Sequence, residues 1–244
     1  MRVIVWFSCG AASAVAAKKA IEKYGADAVT VVYCDTSINE HADNVRFFID
    51  VENWLGKRVD RIMSDSMHSV EDVFDSRQYM SGPYGAPCTV ELKKKPRFAF
   101  QHADDVNIFG LTADEKKRII EFSQRNPELN LEWILLDSKI TKTECFRILS
   151  RAGIKLPTLY SLGYRNNNCL GCVKATSAKY WNMVRRDFPT VFQKRAKQSR
   201  DIGCRLTRME GKRIFLDELP INYMGDNRLE NISCGPDCST EGAR

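Results

Sequence analysis

Five of the nine cysteines in this 244-residue chain sit where packing does not account for them. Cys88 follows Pro87, and Cys169 and Cys172 form a C-x-x-C pair among Asn and Gly residues. Cys234 and Cys238 bracket Gly235, Pro236 and Asp237. Thiols in such turn-rich segments can act as soft metal ligands, or as a nucleophile with a resolving partner. Cys34 and Cys145 lie within strand-like and helix-like runs and read as small core residues. A second group is Ser8-Cys9-Gly10-Ala11-Ala12-Ser13. Small residues there let backbone N–H groups approach an anion, and the start of a following helix adds favourable partial charge. The Ser8 and Ser13 hydroxyls can donate as well, and Ser13 can cap the helix. A plain strand-to-helix turn would look the same in isolation. The sharpest basic run, Lys93, Lys94, Lys95 and Arg97, is either a solvated helix face or an anion-binding group.

The elements that must position these residues follow from hydrophobic pattern. Val3 to Phe7 is a continuous apolar run, as expected of a strand buried on both faces. An Ala-rich helix is predicted from Ser13 to Tyr24, ended by Gly25. Further strands are predicted at Ala28 to Tyr33, Val59 to Met63, Val106 to Phe109 and Trp133 to Leu136. Helices are predicted at Ala42 to Leu55, Glu115 to Phe122 and Thr141 to Ala152. This alternation predicts an α/β fold: a doubly wound, mostly parallel five-stranded sheet. From about Leu156 the pattern gives way to turn residues and two basic helical stretches, Ala178 to Asp187 and Val191 to Gln198. The division is a nucleotide-binding α/β domain over 1–155 and a small helical, cysteine-containing extension over 156–244. Ligands of such sheets bind beyond the carboxyl ends of the strands, where Ser8 to Ser13 would lie.

With the elements in place, Ser8 to Ser13 resembles the PP-loop of the adenine nucleotide α-hydrolase group, S-G-G-x-D-S. Cys9 replaces a glycine and Ala12 stands at the aspartate position. Asp35-Thr36-Ser37 with Glu40 resembles the D-T-G…E-T segment of sulfonucleotide reductases. Pro87 to Lys93 with Pro96 is similar to their C-C-x-x-[LR]-K…P segment, with Pro87 for the first cysteine. Gly110 to Glu115 with Arg118 is similar to G-x-R-x-x-[EQ]-x-x-R, with Thr112 for the arginine. Leu159 to Cys172 is similar to L-x-x-x-G-Y…G-C-x-x-C, and Cys234-Gly235 to the E-C-G-L-H end. On these segments the chain resembles the phosphoadenylyl-sulfate and adenylyl-sulfate reductases.

The resemblance implies an adenine nucleotide or adenylyl sulfate held by Ser8, Cys9, Gly10, Ala11, Ser13, Asp35, Thr36, Ser37, Gly110 and Arg118. Lys93, Lys95 and Arg97 would contact sulfate or phosphate. Cys88, Cys169 and Cys172 would hold a 4Fe–4S cluster, with zinc as the alternative metal. Either Cys204, Cys234 or Cys238 supplies the fourth ligand, or one iron stays open. Cys234 would be the nucleophile, released by a thioredoxin-like dithiol. No obligatory Mg is expected, because Ala12 removes a hard oxygen ligand.

Composition excludes some classes. With 43% apolar and 28% charged residues the chain reads as an ordinary globular protein. No run of 18 apolar residues occurs, and the short apolar start is no signal sequence, so a cytoplasmic location and no membrane partner are expected. The net charge of +6 suits a nucleotide site or a nucleic-acid partner. Two further functions therefore stay open: ATP-dependent sulfur transfer to tRNA or DNA, and a non-catalytic nucleotide and iron–sulfur sensor. A homo-oligomer stays open too.

Overall fold

The computed structural model describes residues 2–83, 85–225 and 232. Its centre is a five-stranded parallel sheet of β1 (Val3–Phe7), β2 (Val29–Cys34), β3 (Asp60–Ile62), β4 (Val106–Phe109) and β5 (Asn130–Glu132), in the order β3-β2-β1-β4-β5. Val3 pairs with Val29 on one side and Val106 on the other, so β1 is central and its five residues are all buried. The pleat sends Val3, Val5 and Phe7 to one core, and Ile4 and Trp6 to another. The first core is covered by α1 (Ala11–Tyr24), α2 (Asn44–Leu55), the short α7 (Ile134–Asp137) and α8 (Lys142–Arg151). The opposite face is covered by α6 (Lys116–Arg125) and by Phe100. The doubly wound α/β prediction is what the chain adopts.

One predicted strand is displaced. Trp133 to Leu136 is not β5: Asn130–Glu132 pairs with β4, and Ile134–Asp137 turns as a helix. Ile134 and Leu135 are buried in the core beneath α1. A short apolar run looks alike in a buried strand and a buried helical turn. The true strand is an edge strand with half-polar sequence, so its pairing leaves little hydrophobic signal.

The remaining elements build a second core. α3 (Val70–Arg77), α4 (Pro87–Thr89), a π-turn over Val90–Lys94 and α5 (Lys95–Phe100) come from the first half of the chain. α9 (Thr158–Ser161), α10 (Ala178–Asp187), α11 (Pro189–Ile202) and the antiparallel hairpin β6 (Thr207–Met209)–β7 (Lys212–Ile214) come from the second. Val73, Phe74 and Leu92 pack there with Trp181, Phe192 and Leu206, so the core draws on both segments. Among the described residues, no helix is long and apolar enough to cross a membrane.

Candidate functional site

Strand order reverses at β1, and the loops leaving β1 and β4 diverge there, as ligand sites of open parallel sheets require. The cleft between them is about 620 Å³, its open mouth included. Ser8, Gly10, Ala12 and Ser13 line one side, Gly110, Leu111, Thr112, Glu115 and Arg118 the other. Lys142, Tyr160 and Asn166 to Asn168 complete the wall. The two loops touch: a methyl group on Gly110 would lie 2.6 Å from the Ser13 Cα and backbone nitrogen.

Within the loop the Ser13 hydroxyl accepts from the Ser8 N–H at 3.1 Å, meets the Ser8 hydroxyl at 3.1 Å and donates to the Gly10 carbonyl at 3.0 Å. Ser13 is therefore not the helix cap: α1 begins two residues earlier, with Gly10 at the cap position and no side-chain cap. The hydroxyl closes the loop on itself instead. Cys9 has φ of 54°, the left-handed region that favours glycine. Its thiol is buried and points at the Asn44 carbonyl 3.5 Å away, and burial pushes its pKa well up. It is a neutral packing group. Cys9→Gly should relieve about 1–2 kcal/mol of left-handed strain while losing a similar amount of buried surface. Its unfolding midpoint should barely move, whereas Cys9→Val, β-branched at positive φ, should fall clearly in the same denaturant titration.

Two cations face the cleft. Arg118 pairs with Glu115 at 2.8 Å, while the other Glu115 oxygen accepts from the Thr112 N–H and hydroxyl at 3.1 and 3.0 Å. Burial pushes Glu115 up, but Arg118 and the Thr112 bonds outweigh it and hold the carboxyl below its ordinary value. Thr112 thus buttresses the glutamate that aims Arg118. Lys142 is the second cation, and sequence reasoning missed it. It opens α8 behind the Thr141 cap and belongs to no motif. Burial pushes its pKa down to about 8, against the opposing pull of Glu115. Tyr160 was missed too. Burial pushes its hydroxyl pKa up to about 12, against the opposing pull of the Ala11 and Asn167 backbone.

The other predicted nucleotide residues lie elsewhere. Cys9 and Ala11 are buried behind the loop. Asp35, Thr36 and Ser37 sit at the end of β2 and do not line the cleft. Asp35 meets Arg61 at 3.3 Å and accepts from the Ser37 N–H, and the Thr36 hydroxyl donates to Glu40 at 2.7 Å. The basic run is no solvated face. Lys93 and Arg97 are buried, with Arg97 over the Phe98 and Phe109 rings at 4.5 and 5.7 Å. Lys95 pairs with Glu91 at 2.6 Å. None of the three lines the cleft. A π-turn over Val90–Lys94 shifts the face that each residue presents, which helical periodicity does not anticipate.

Cys88 and Cys172 are buried in the second core, and Cys169 is buried in a neighbouring pocket. The Tyr180 oxygen accepts from the Cys172 N–H at 2.8 Å, and both thiols of the C-x-x-C pair act on Tyr180 electrostatically. Gly171, with φ of 62°, makes the turn between them; a methyl there would meet Val191 Cγ1 at 2.8 Å. Three soft thiols in apolar surroundings, two on one glycine turn, fit a thiolate-held metal centre by donor chemistry. Cys204 donates to the Ser81 carbonyl at 3.1 Å. Cys34 and Cys145 are core residues, as expected. Cys234 and Cys238 lie outside the described residues. Among the described residues, His102, Asp104 and Asp105 bring their ligand atoms within 4.8 Å of one another, whereas Cys88, Cys169 and Cys172 form no such group. Asp105 is committed to Arg2 at 2.7 Å and the His102 N–H at 2.6 Å.

The cleft and the cysteine pocket share a wall of Asn166, Asn168 and Ile232. Asn167 ties that wall to the loop, donating to the Cys9 carbonyl at 2.7 Å and to Asn44 at 2.9 Å. Comparison of the chain with protein-family models and with curated protein sequences gives no match.

Proposed function

We propose that the chain is an adenine-nucleotide-binding enzyme of sulfur chemistry, reducing an adenylyl sulfate to sulfite. The observation that carries this reading is the shared wall: an anion-suited cleft at the sheet's switch point adjoins a buried C-x-x-C turn. Ser8, the α1 N-terminus, Arg118 and Lys142 would hold the phosphate and sulfate groups. Cys88, Cys169 and Cys172 would hold a 4Fe–4S cluster, which when bound supplies a compact charged group beside the substrate. The Cys234 thiolate attacks the substrate sulfur, forming an S–S bond as the S–O bond to the nucleotide phosphate breaks and the nucleotide leaves. A thioredoxin-like dithiol then reduces the S-sulfonate, releasing sulfite and restoring the Cys234 thiol while itself becoming a disulfide.

Sulfur transfer to nucleic acid would draw on the basic extension. There Lys194 and Arg195 pair with Glu71, Arg186 with Asp187, Lys197 with Asp201, and Arg200 with Asp217 and Glu218. These pairs offset five cations, yet residues 156–244 hold 15 Lys and Arg against 9 Asp and Glu, so the extension keeps a positive excess that suits a phosphate backbone.

The test is incubation of anaerobically purified protein with adenylyl sulfate, without Mg. A sulfonate adduct on Cys234, removed by thioredoxin and absent in Cys234→Ser, is the expected result. Nucleotide binding with no adduct would favour a sensor, and Mg-dependent ATP cleavage with sulfur on RNA or DNA would favour transfer.

A pH dependence follows from Lys142. Its folded pKa of about 8 lies below its ordinary 10.5. Between these values the unfolded chain binds more protons, so stability of the ligand-free protein should rise with pH through that window. Anion affinity should run the other way, falling as pH rises past about 8 and the ammonium is lost. Asp114 and Glu115 favour the charged form, and Arg165 opposes it. Calorimetric titration across the window should show this fall in wild type and a flatter profile in Lys142→Arg. Equal profiles would remove Lys142 from the binding site.

A further inference from the structure

Lys142 does more than line the cleft. Its ammonium donates to the Arg165 carbonyl and to the side-chain oxygen of Asn166. An ammonium carries only donors, so Asn166 must present its oxygen to Lys142 and its NH2 elsewhere. That NH2 donates to the Ile232 carbonyl at 2.9 Å, and the Asn168 side chain donates to the same carbonyl at 2.8 Å. Two side-chain amides thus clasp one backbone oxygen. Ile232 is buried, in the wall common to the nucleotide cleft and the Cys169 pocket. The bonds run continuously from a cleft cation, through one amide, to Ile232, which lines both pockets.

We infer that Lys142 is a positioning residue through which a phosphate or sulfate group in the cleft loosens the clasp on Ile232. The inference rests on the cleft being the anion site of the proposed function. The physical reason is competition for donors. A bond from an ammonium to an anion is roughly twice as strong as one to a neutral amide. An anion at the cleft face of Lys142 therefore draws the ammonium from Asn166. The Asn166 amide, no longer polarised by a cation at its oxygen, then donates more weakly to the Ile232 carbonyl. The anion binds the released arrangement better, which is the differential affinity that any ligand-driven shift requires. Asn is the residue type this needs, because an aspartate could serve Lys142 but could not donate to Ile232.

The test follows the Asn166 side-chain amide by NMR in the full chain, with inorganic pyrophosphate and AMP as separate probes. The Asn166 NH2 signals are assigned by their loss in Asn166→Asp. Saturating pyrophosphate should speed exchange of these protons with water by about tenfold or more in wild type, as for a local opening. Lys142→Met should bind pyrophosphate more weakly and show no such change, and Lys142→Arg should recover part of it. Unchanged Asn166 signals at saturation, or the same response in Lys142→Met, would overturn the inference. Should Lys142→Met fail to fold, Asn166→Asp decides alone. Its carboxylate holds the ammonium, so pyrophosphate affinity should fall by about threefold or more, and an unchanged affinity would overturn the inference. Response to pyrophosphate with no binding of AMP or adenylyl sulfate would leave the inference standing and defeat the nucleotide reading. Nucleotide binding without an Asn166 response would do the reverse, and binding of neither probe would defeat both.

Discussion

Gly110→Ala is expected to abolish measurable nucleotide binding and to lower stability by about 1–3 kcal/mol, the usual cost of overfilling a packed site. The added methyl would meet the Ser13 Cα and backbone nitrogen at 2.6 Å, and Ser13 Cβ at 2.9 Å. The obstruction is backbone at the start of α1, not the tip of a flexible side chain. Either β4 or α1 must move, and both carry cleft walls. Displacing α1 would also break the Ser13 bonds to Ser8 and Gly10. A useful control is Gly153→Ala, where φ is 74° but nothing lies within 4 Å. It should cost stability through backbone strain alone and leave binding intact. The comparison needs a denaturant titration and a nucleotide titration on each variant. Normal binding by Gly110→Ala would show that the contact between β4 and α1 does not shape the site.

Cys172→Ser should strip the proposed metal centre, reducing iron and acid-labile sulfide in anaerobically purified protein to background. Serine offers a hard, poorly ionised oxygen where a soft thiolate is needed. Cys172 is also buried against the second core, so the hydroxyl costs about 1–3 kcal/mol on its own. The two effects are separated by Cys145→Ser. Cys145, on α8, is fully buried in the first core, and burial pushes its thiol up to about 12. That variant should lose comparable stability yet keep its iron. Metal content that is equal in both variants and wild type would dismiss the cluster, whatever happens to the melting temperatures.

Pattern and residue type carried most of the architecture. Val3 to Phe7 had to be a central strand, since five apolar residues in succession suit only burial on both faces. The Ser8–Ser13 loop was legible because it lies immediately beyond a readable strand, whereas Gly110 after β4 and Arg118 on α6 came from a motif resemblance. The C-x-x-C turn was legible because its spacing and glycine are local properties. Misreadings arose where local signal was ambiguous. Trp133 to Leu136 held more apolar character than the true edge strand Asn130–Glu132. Lys93, Lys95 and Arg97 were expected at a sulfate or phosphate, yet Lys93 and Arg97 are buried, with Arg97 over the Phe98 and Phe109 rings.

What the sequence determined by itself was therefore whatever depends on short range: strand and helix order, the small-residue loop, and soft ligands closely spaced. Tertiary structure alone decided which distant residues share a surface. Lys142, Tyr160 and Asn166 to Asn168 reach the cleft because α8 packs beside α1 and the following loop returns across the carboxyl edge of the sheet. Asp35, Thr36 and Ser37 stay outside it because their polar groups are taken up by Arg61, Glu40 and their own backbone. The physical reason is range. Propensity and periodicity act over a few residues, whereas burial, desolvation and ion pairing arise only when chain closure brings separated segments together.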